Sequence, residues 1–365
     1  MRIAQVCPLS ESVPPLTYGG TERVVAFLTE ELVAAGHHVT LFASGDSVTR
    51  AELVACVPRA LRLDSDCVDP LAPHLLMIEE VARRAADFDL VHFHFGYLHF
   101  PLMRRLGIPR ITTVHGRLDL PDLQTVYRVF PDEPLVSISQ AQQAPLPSVG
   151  WQGTVHHGLP GGLLAFHPGP GRYLAFLGRI SPEKGPDRAI EIARRVGMPL
   201  KIAAKVDKVD EAYFRARIEP LLDDPLLDFV GEIDDGQKGE FLGNAAALLF
   251  PVDWPEPFGL VMIEAMACGA PVVAFARGSV PEIVRDGQSG FVVGSVDDAV
   301  AAVPRALALP RARCRAYFDA RFTAARMAAC YVQIYEQVIA RERTRRAARA
   351  SEPGGGVSMD PRMPL

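Results

Sequence analysis

Two glutamates, Glu256 and Glu264, are separated by seven residues in the stretch from Pro251 to Gly269. Prolines on both sides of Glu256 predict an extended loop, whereas Glu264 lies in an apolar segment that predicts a helix ending at Gly269. Ionised carboxylates accept hydrogen bonds from hydroxyl groups. A pair placed on either side of a loop–helix junction can therefore bind hydroxyls on two sides of one ligand.

The junction between the two glutamates has the features of an anion site. The amides near Phe258, Gly259 and Leu260 would be the unpaired donors of the first helical turn. Gly259 carries no Cβ, so a ligand can approach the main chain there. The helix dipole favours negative charge at this end, and we therefore expect an anion such as a diphosphate.

Two cations, Arg179 and Lys184, follow the predicted strand Tyr173–Leu177. A guanidinium binds phosphate oxygens through a planar fork, and an ammonium acts as a mobile point charge. The pair suits a diphosphate, although a solvated pair of surface charges has the same composition. The glutamates farther along the chain favour the interpretation as a site.

The first half of the chain offers fewer candidates. Gly19 and Gly20 precede a predicted helix, Val24–Ala35, where they either let a phosphate or sugar approach or form a simple turn. His115 directly follows the predicted strand Arg110–Val114. Open parallel sheets place ligand-binding groups at such strand ends. His115 is therefore the candidate from this half, the alternative being a loop histidine without a role.

Several further residues favour structural roles. His92 and His94 share one face of a predicted strand, which could seed a metal site, but no further ligand set at metal spacing accompanies them. Glu282 is expected to cap or brace, and the role of Lys205, a third cation at a strand end, is open. A stripe at helical spacing near the C-terminus favours core packing. Its members are Met327, Tyr331, Ile334, Tyr335 and Val338.

At these positions the chain resembles the family 4 retaining glycosyltransferases. The string Glu-Pro-Phe-Gly-Leu-x-x-x-Glu-Ala-Met-Ala-Cys-Gly, starting at Glu256, contains that family's Glu-x7-Glu motif. The segment Gly178–Gly185 matches its Gly-Arg-x-x-x-x-Lys-Gly string. The resemblance implies that Glu256 contacts the transferred sugar and Glu264 the nucleotide ribose. It also implies that Arg179 and Lys184 neutralise the leaving diphosphate.

The same resemblance assigns roles outside these two strings. It places His115 near the transferred sugar, and it implies that the loop at Gly19 and Gly20 faces the donor across the cleft. It further implies that the nucleotide base lies against main-chain groups near Gly231 and Ile233. These residues complete the predicted donor site.

The resemblance and two runs of alternating strands and helices predict an α/β fold of the GT-B type, with two Rossmann-like β/α/β domains facing a central cleft. The predicted units are an acceptor-side domain (1–160), a nucleotide-sugar-binding domain (170–318), a helix crossing back to the first domain (319–341) and a disordered tail (342–365). Residues 46–73 are expected to be irregular.

The activity implied by the resemblance is retaining transfer of a hexose from a UDP-, GDP- or ADP-sugar to a hydroxyl of a glycan, lipid or small molecule. The departing phosphate oxygen would take the acceptor's proton, so neither a metal nor a bound cofactor is expected. Two alternatives are a non-catalytic nucleotide-sugar-binding protein and a Rossmann-type oxidoreductase. The absence of a Gly-x-Gly-x-x-Gly turn after the first strand disfavours the second.

Composition sets the outer limits. A chain of 365 residues with 48% hydrophobic content is long enough for two domains, and a net charge of -5 predicts no nucleic-acid partner. Six cysteines without C-x-x-C spacing favour a reducing compartment. The N-terminal apolar run is too short for a signal peptide, and no stretch reaches the roughly 18 apolar residues of a membrane span. We expect a cytoplasmic enzyme, with peripheral membrane contact left open through its acceptor.

Overall fold

The computed structural model describes residues 1–16 and 19–351. Its first sheet lies in the N-terminal half, and all of its strand pairs are parallel. The strand order is β3-β2-β1-β4-β5-β6-β7. The strands are β1 (Arg2–Val6), β2 (His38–Ser44), β3 (Glu52–Val57), β4 (Leu90–Phe93), β5 (Arg110–Thr113), β6 (Leu135–Ser137) and β7 (Trp151–Thr154).

A second parallel sheet follows, with strand order β10-β9-β8-β11-β12-β13. Its strands are β8 (Tyr173–Arg179), β9 (Leu200–Lys205), β10 (Leu227–Gly231), β11 (Ala245–Phe250), β12 (Val272–Phe275) and β13 (Gly290–Val293). Together the two sheets confirm the predicted α/β class with two Rossmann-like units.

The helices are α1 (Gly20–Ala34), α2 (Leu71–Arg83), α3 (Phe100–Leu106), α4 (Pro121–Val129), α5 (Pro186–Val196), α6 (Glu211–Tyr213), α7 (Asp235–Gly243), α8 (Leu260–Ala267), α9 (Val280–Ile283), α10 (Val296–Leu307), α11 (Arg311–Arg321) and α12 (Ala324–Ser351). Helices α1 to α9 lie between strands along the chain, and α10 to α12 follow the last strand. Helix α8 is apolar on most sides because its residues 262–267 are all buried.

The direction of winding reverses at equivalent places in the two sheets. The chain moves outward from β1 to one edge and then returns to place β4 on its other side, and β8 and β11 have the same relation. Crevices form at the carboxyl ends of strands at such switch points. The loops after β1 and β5 and those after β8 and β11 carry the residues described below.

Helix α12 packs on the first sheet although it follows the second. Tyr331 and Tyr335 are fully buried in a cluster with Ile3 and Leu28. The crossing into α12 runs beside the linker between the sheets, since the amide of Leu159 donates to the carbonyl of Phe322 at 2.9 Å. Two segments of the chain, the linker near Leu159 and the segment that enters α12, therefore pass side by side between the two halves.

Two expectations about local structure were wrong. Residues 46–73 include strand β3, which pairs with β2 from Thr40 to Ser44 and completes that edge of the sheet. Residues 342–351 continue α12 rather than starting a disordered tail, because the helix runs on to Ser351. The rest of the predicted tail lies outside the described residues. In the described part of the chain, no helix is long and apolar enough to traverse a bilayer.

Candidate active site

A cleft of about 640 Å³ lies between the two sheets and is lined by loops from both. With one exception, the residues predicted from the sequence all line it. They are Gly19, Gly20, His115, Arg179, Lys184, Ile233, Glu256, Phe258, Gly259, Leu260 and Glu264. The exception is Gly231, whose neighbours Glu232 and Ile233 line the cleft instead. Tertiary structure thus brings together residues from opposite ends of the chain.

Glu256 is buried and receives two hydrogen bonds on the same oxygen. Its Oε2 accepts from Lys184 Nζ at 2.5 Å and from the indole Nε1 of Trp254 at 2.9 Å. The loop is held from behind, since the amide of Ser279 donates to the Glu256 carbonyl at 2.9 Å. Gly278 is needed beside it because a Cβ at that position would lie 2.3 Å from the same carbonyl oxygen. The carboxylate is therefore fixed in orientation.

Arg179 lies among three acids. It donates to Glu183 through Nη2, and its Nε and Nη1 lie 3.2 Å and 3.9 Å from Asp210 Oδ2 and Asp207 Oδ2. Burial raises the pKa of Asp210, with Arg179 opposing it. Burial also favours the neutral form of Glu183, but hydrogen bonds from its own amide, Ser181 and Arg179 outweigh it and lower that pKa. A diphosphate at Arg179 would therefore replace carboxylate partners.

Glu264 is buried between two cations. Its Oε1 lies 3.3 Å from Arg23 Nη1 and 3.2 Å from Lys238 Nζ. Both cations also contact Asp235, at 2.8 Å and 3.0 Å. Only 3% of the residue is exposed, and the two cationic partners offset the cost of burying the carboxylate.

The start of α8 lies directly on the cleft. Gly259 precedes the helix in a left-handed conformation with φ of 80°. A side chain there would be strained and would also meet Phe250, whose Cζ would lie 3.0 Å from the added Cβ. From the other side, Gly20 approaches Leu260, since a Cβ at Gly20 would lie 3.8 Å from its Cδ1. The start of α1 and the start of α8 therefore both line one cavity, and a glycine is required at Gly259.

His115 lines the cleft from the first sheet. Its Nε2 lies 3.1 Å from Nδ1 of His94, and its ring stacks on His157 with centroids 5.3 Å apart. Burial lowers the pKa of His115 to about 3, so the ring is neutral at physiological pH. Its Nδ1 is buried and has no hydrogen-bond partner among the residues that the structure describes. This nitrogen therefore has hydrogen-bonding capacity that the described residues do not use.

Trp254, Arg23 and Lys238 line the cleft but were not identified from the sequence. The indole of Trp254 lies between two cations, 4.9 Å from Lys184 Nζ and 5.6 Å from the Arg117 guanidinium carbon. Trp254 could have been proposed from the sequence, because it is an aromatic residue in the same loop as Glu256. Nothing in the local pattern marked Arg23 or Lys238, because their partner Glu264 lies elsewhere in the sequence.

The structure also shows the surroundings of Glu282, for which a bracing role was predicted, and of Lys205, whose role was left open. Glu282 accepts from the amides of Gln140 and Ala141 at 2.8 Å and 2.7 Å, so its predicted role as a brace is confirmed. Lys205 lines the cleft and lies 3.1 Å from Asp207. Within residues 1–16 and 19–351, no three His, Cys, Asp or Glu side chains are grouped so that they could hold a metal ion.

Comparisons with known proteins cover most of the chain. Residues 18–142 match the family model described as Glycosyltransferase Family 4, and residues 166–320 match the one described as Glycosyl transferases group 1. A phosphatidyl-myo-inositol mannosyltransferase of Mycobacterium leprae (strain TN) is 28% identical over 329 residues, which is 83% of this chain and 86% of that relative.

Solved structures share the fold of this chain. AviGT4, a glycosyltransferase involved in avilamycin A biosynthesis, is 25% identical with a TM-score of 0.70 over 93% of this chain and 98% of its own. Sucrose-phosphate synthase from Thermosynechococcus elongatus is 21% identical with a TM-score of 0.76 over 93% of this chain and 100% of its own. The second likeness is one of fold.

Proposed function

The chain belongs to the family 4 glycosyltransferases, with the GT-B fold, and on that premise we propose that it transfers a hexose from a nucleotide-diphosphate sugar to a hydroxyl acceptor, with retention and without a metal. One contact carries the proposal. Lys184, a cation suited to phosphate, lies 2.5 Å from Glu256, a carboxylate suited to sugar hydroxyls. The bond between diphosphate and sugar would lie where these two groups meet.

The donor would extend from this contact toward α8. Its diphosphate would lie against the first turn of that helix, with Arg179 and Lys184 as cations. Glu264 would accept hydrogen bonds from the ribose hydroxyls, since its carboxylate is already held in place between Arg23 and Lys238. The base would lie near Ile233, which also lines the cleft.

The reaction follows from where charge develops. The bond between the anomeric carbon and the diphosphate oxygen breaks, and negative charge grows on the departing diphosphate. Arg179, Lys184 and the α8 amides stabilise it without having to reorganise during the step. The acceptor oxygen forms the new bond on the same face, and its proton passes to the departing phosphate oxygen. This step requires no protein base and no metal.

Glu256 orients the sugar rather than removing a proton. Its Oε2 accepts from both Lys184 and Trp254, and these two bonds hold that oxygen in place. A carboxylate fixed in this way is a good hydrogen-bond acceptor for sugar hydroxyls. His115 would take a further hydroxyl of the same sugar from the other side of the cleft.

The compartment and the acceptor are part of the same proposal. All six cysteines are free, which fits a reducing cytoplasm. The similarity to a phosphatidyl-myo-inositol mannosyltransferase makes inositol-containing lipids and inositol phosphates reasonable members of an acceptor screen. Glycans and other small hydroxyl compounds complete it.

The test has two stages. Purified protein is first screened by calorimetry and thermal shift against UDP, GDP, ADP and their sugar conjugates, with and without EDTA. Stabilisation by one nucleotide that EDTA does not change is the expected result. Transfer from that donor is then assayed, and the anomeric configuration of the product is read by NMR.

Each alternative has its own outcome. Binding without transfer to any acceptor would indicate a non-catalytic nucleotide-sugar-binding protein. An inverted product, or stabilisation lost in EDTA, would overturn retention or metal independence. No response to any of the nucleotides would overturn the donor assignment.

A further inference from the structure

A buried hydrogen-bond chain connects His115 with the last helix. His115 Nε2 lies 3.1 Å from His94 Nδ1, and His94 Nε2 lies 2.6 Å from Gln5 Oε1. Gln5 Nε2 donates to the hydroxyl of Tyr335 on α12 at 3.2 Å. Gln5 and Tyr335 are fully buried, and His94 is 2% exposed. A group at the cleft is thus linked through two side chains to a helix outside it.

The chain continues beyond Tyr335. Its hydroxyl lies 2.8 Å from His92 Nδ1, and His92 Nε2 lies 2.7 Å from Thr113 Oγ1. Thr113 Oγ1 is 2.9 Å from the hydroxyl of Tyr331, also on α12. The two tyrosines therefore hold two points of one network.

Each imidazole in this network carries a single ring proton. Burial lowers the pKa of His92 and of His94 well below the usual value, with neighbouring histidines adding to the effect. Burial alone lowers that of His115. A neutral imidazole has one nitrogen that donates and one that accepts. The direction of each hydrogen bond therefore determines the next one.

Gln5 sets that direction. Its oxygen faces His94 and can only accept, so His94 carries its proton on Nε2. Nδ1 of His94 then holds a lone pair and accepts from His115 Nε2. His115 is consequently protonated on Nε2, and its Nδ1 is a hydrogen-bond acceptor.

We propose that Tyr335, Gln5 and His94 are positioning residues that hold His115 in one tautomer, so that Nδ1 offers an unprotonated acceptor to a ligand hydroxyl. The reverse polarity would put a proton on this nitrogen, which has no partner within the described part of the chain. A buried N–H without a partner is rarer in proteins than an acceptor without one. The chain of bonds and the unpartnered atom thus agree.

The ligand would be a sugar hydroxyl that donates to His115. That part rests on the proposed function, whereas the tautomer does not. Because the hydroxyl of Tyr335 is outside the cleft, it can act on a ligand only through this chain of hydrogen bonds. If Tyr335 served only in core packing, a substitution that keeps its ring and removes its hydroxyl would leave the His115 tautomer unchanged.

The tautomer can be measured directly. Long-range proton–nitrogen NMR correlation on protein labelled with 15N-histidine distinguishes protonated from unprotonated ring nitrogens, and His115→Gln identifies the resonances. We expect Nε2 of His115 to be protonated and Nδ1 unprotonated at neutral pH. Tyr335→Phe, which keeps the ring, should shift the His115 resonances toward a mixture of both tautomers.

Tyr173→Phe is the matched control, because it removes a buried hydroxyl that lies outside the network and donates to the carbonyl of Phe241 at 2.7 Å. Its His115 resonances should match those of the unmodified protein. A proton on Nδ1 in the unmodified protein would overturn the proposal whether or not any variant folds. Unchanged His115 resonances in folded Tyr335→Phe would also overturn it.

Kinetics separate this proposal from the proposed function. With an active donor, Tyr335→Phe should lower kcat/KM for transfer by roughly 3- to 10-fold, about the contribution of one hydrogen bond, and leave nucleotide affinity unchanged. Loss of nucleotide affinity would contradict the assignment to the sugar. If the unmodified protein transfers no sugar, the proposed function fails, while the NMR result still decides the tautomer.

Discussion

Arg23 on α1 and Glu264 on α8 meet across the cleft, with Nη1 and Oε1 3.3 Å apart. The two residues belong to different halves of the molecule and are 241 positions apart in the chain. Both are buried, and Lys238 contributes a second cation to the same carboxylate oxygen. The position of the first domain therefore affects how the Glu264 carboxylate, which we assign to the ribose, is held.

Glu264→Ala should weaken nucleotide binding. The substitution removes an acceptor for ribose hydroxyls and leaves Arg23 and Lys238 without their shared carboxylate. We expect the dissociation constant of the preferred nucleotide to rise about tenfold or more, as for a hydrogen bond to a charged group. Calorimetry measures the change. Glu240→Ala, on the exposed side of α7, is the control, and equal affinity in both variants would count against the ribose role.

Arg179→Ala should reduce turnover while the protein stays folded. Removal of one charged donor to a developing oxyanion costs roughly 100- to 1000-fold in kcat. The matched control is Arg195→Ala, whose guanidinium forms a surface pair with Asp297 at 2.6 Å. Steady-state transfer rates and a thermal melt test both variants. Normal rates in Arg179→Ala would remove the basis for the diphosphate assignment.

Trp254→Phe should separate sugar orientation from nucleotide binding. The variant keeps an aromatic ring but loses the indole N–H that donates to Glu256 at 2.9 Å. We expect kcat to fall by roughly 3- to 10-fold, with unchanged nucleotide affinity. Trp151→Phe is the control, since its indole donates at 2.8 Å to the carbonyl of Leu146, away from the cleft. A similar loss of kcat in both variants would argue for a general packing effect.

Stability should decrease as the solution is acidified below neutral pH. Burial lowers the pKa of several histidines in the folded state, and for His115 it lies at about 3. In the unfolded chain these groups titrate near 6.5, so below that pH the unfolded state binds more protons and is favoured. Each group contributes up to about 1.4 kcal/mol per pH unit. The histidines concerned are His37, His92, His94, His99, His115 and His157.

Denaturant unfolding at pH 7, 6 and 5 would measure this effect. His99→Gln removes one of the titrating groups and lies outside the cleft-lining set, so its pH dependence should be shallower by about one proton. An unfolding free energy that does not change between pH 7 and pH 5 would show that these histidines do not titrate on unfolding.

Local sequence determined much of the secondary structure, and it determined which elements hold the charged side chains of the site. The buried strand β11, the loop with Glu256 and the helix with Glu264 follow one another as the residue pattern predicts. The cations likewise lie where the pattern predicts, with Arg179 as the last residue of β8 and Lys184 in the loop that follows it. These features depend on side-chain periodicity, prolines and glycines within short stretches, and such interactions can be recognised without knowing the rest of the structure.

Contacts between distant residues were decided only by the tertiary structure. The pattern in α12 predicts a core stripe, but not that the hydroxyl of Tyr335 bonds to His92, 243 positions away. Nor does it indicate Arg23 as a partner of Glu264, or the three acids around Arg179. Hydrogen bonds and ion pairs require atoms within a few ångströms, and packing two sheets and one returning helix together is what creates those distances.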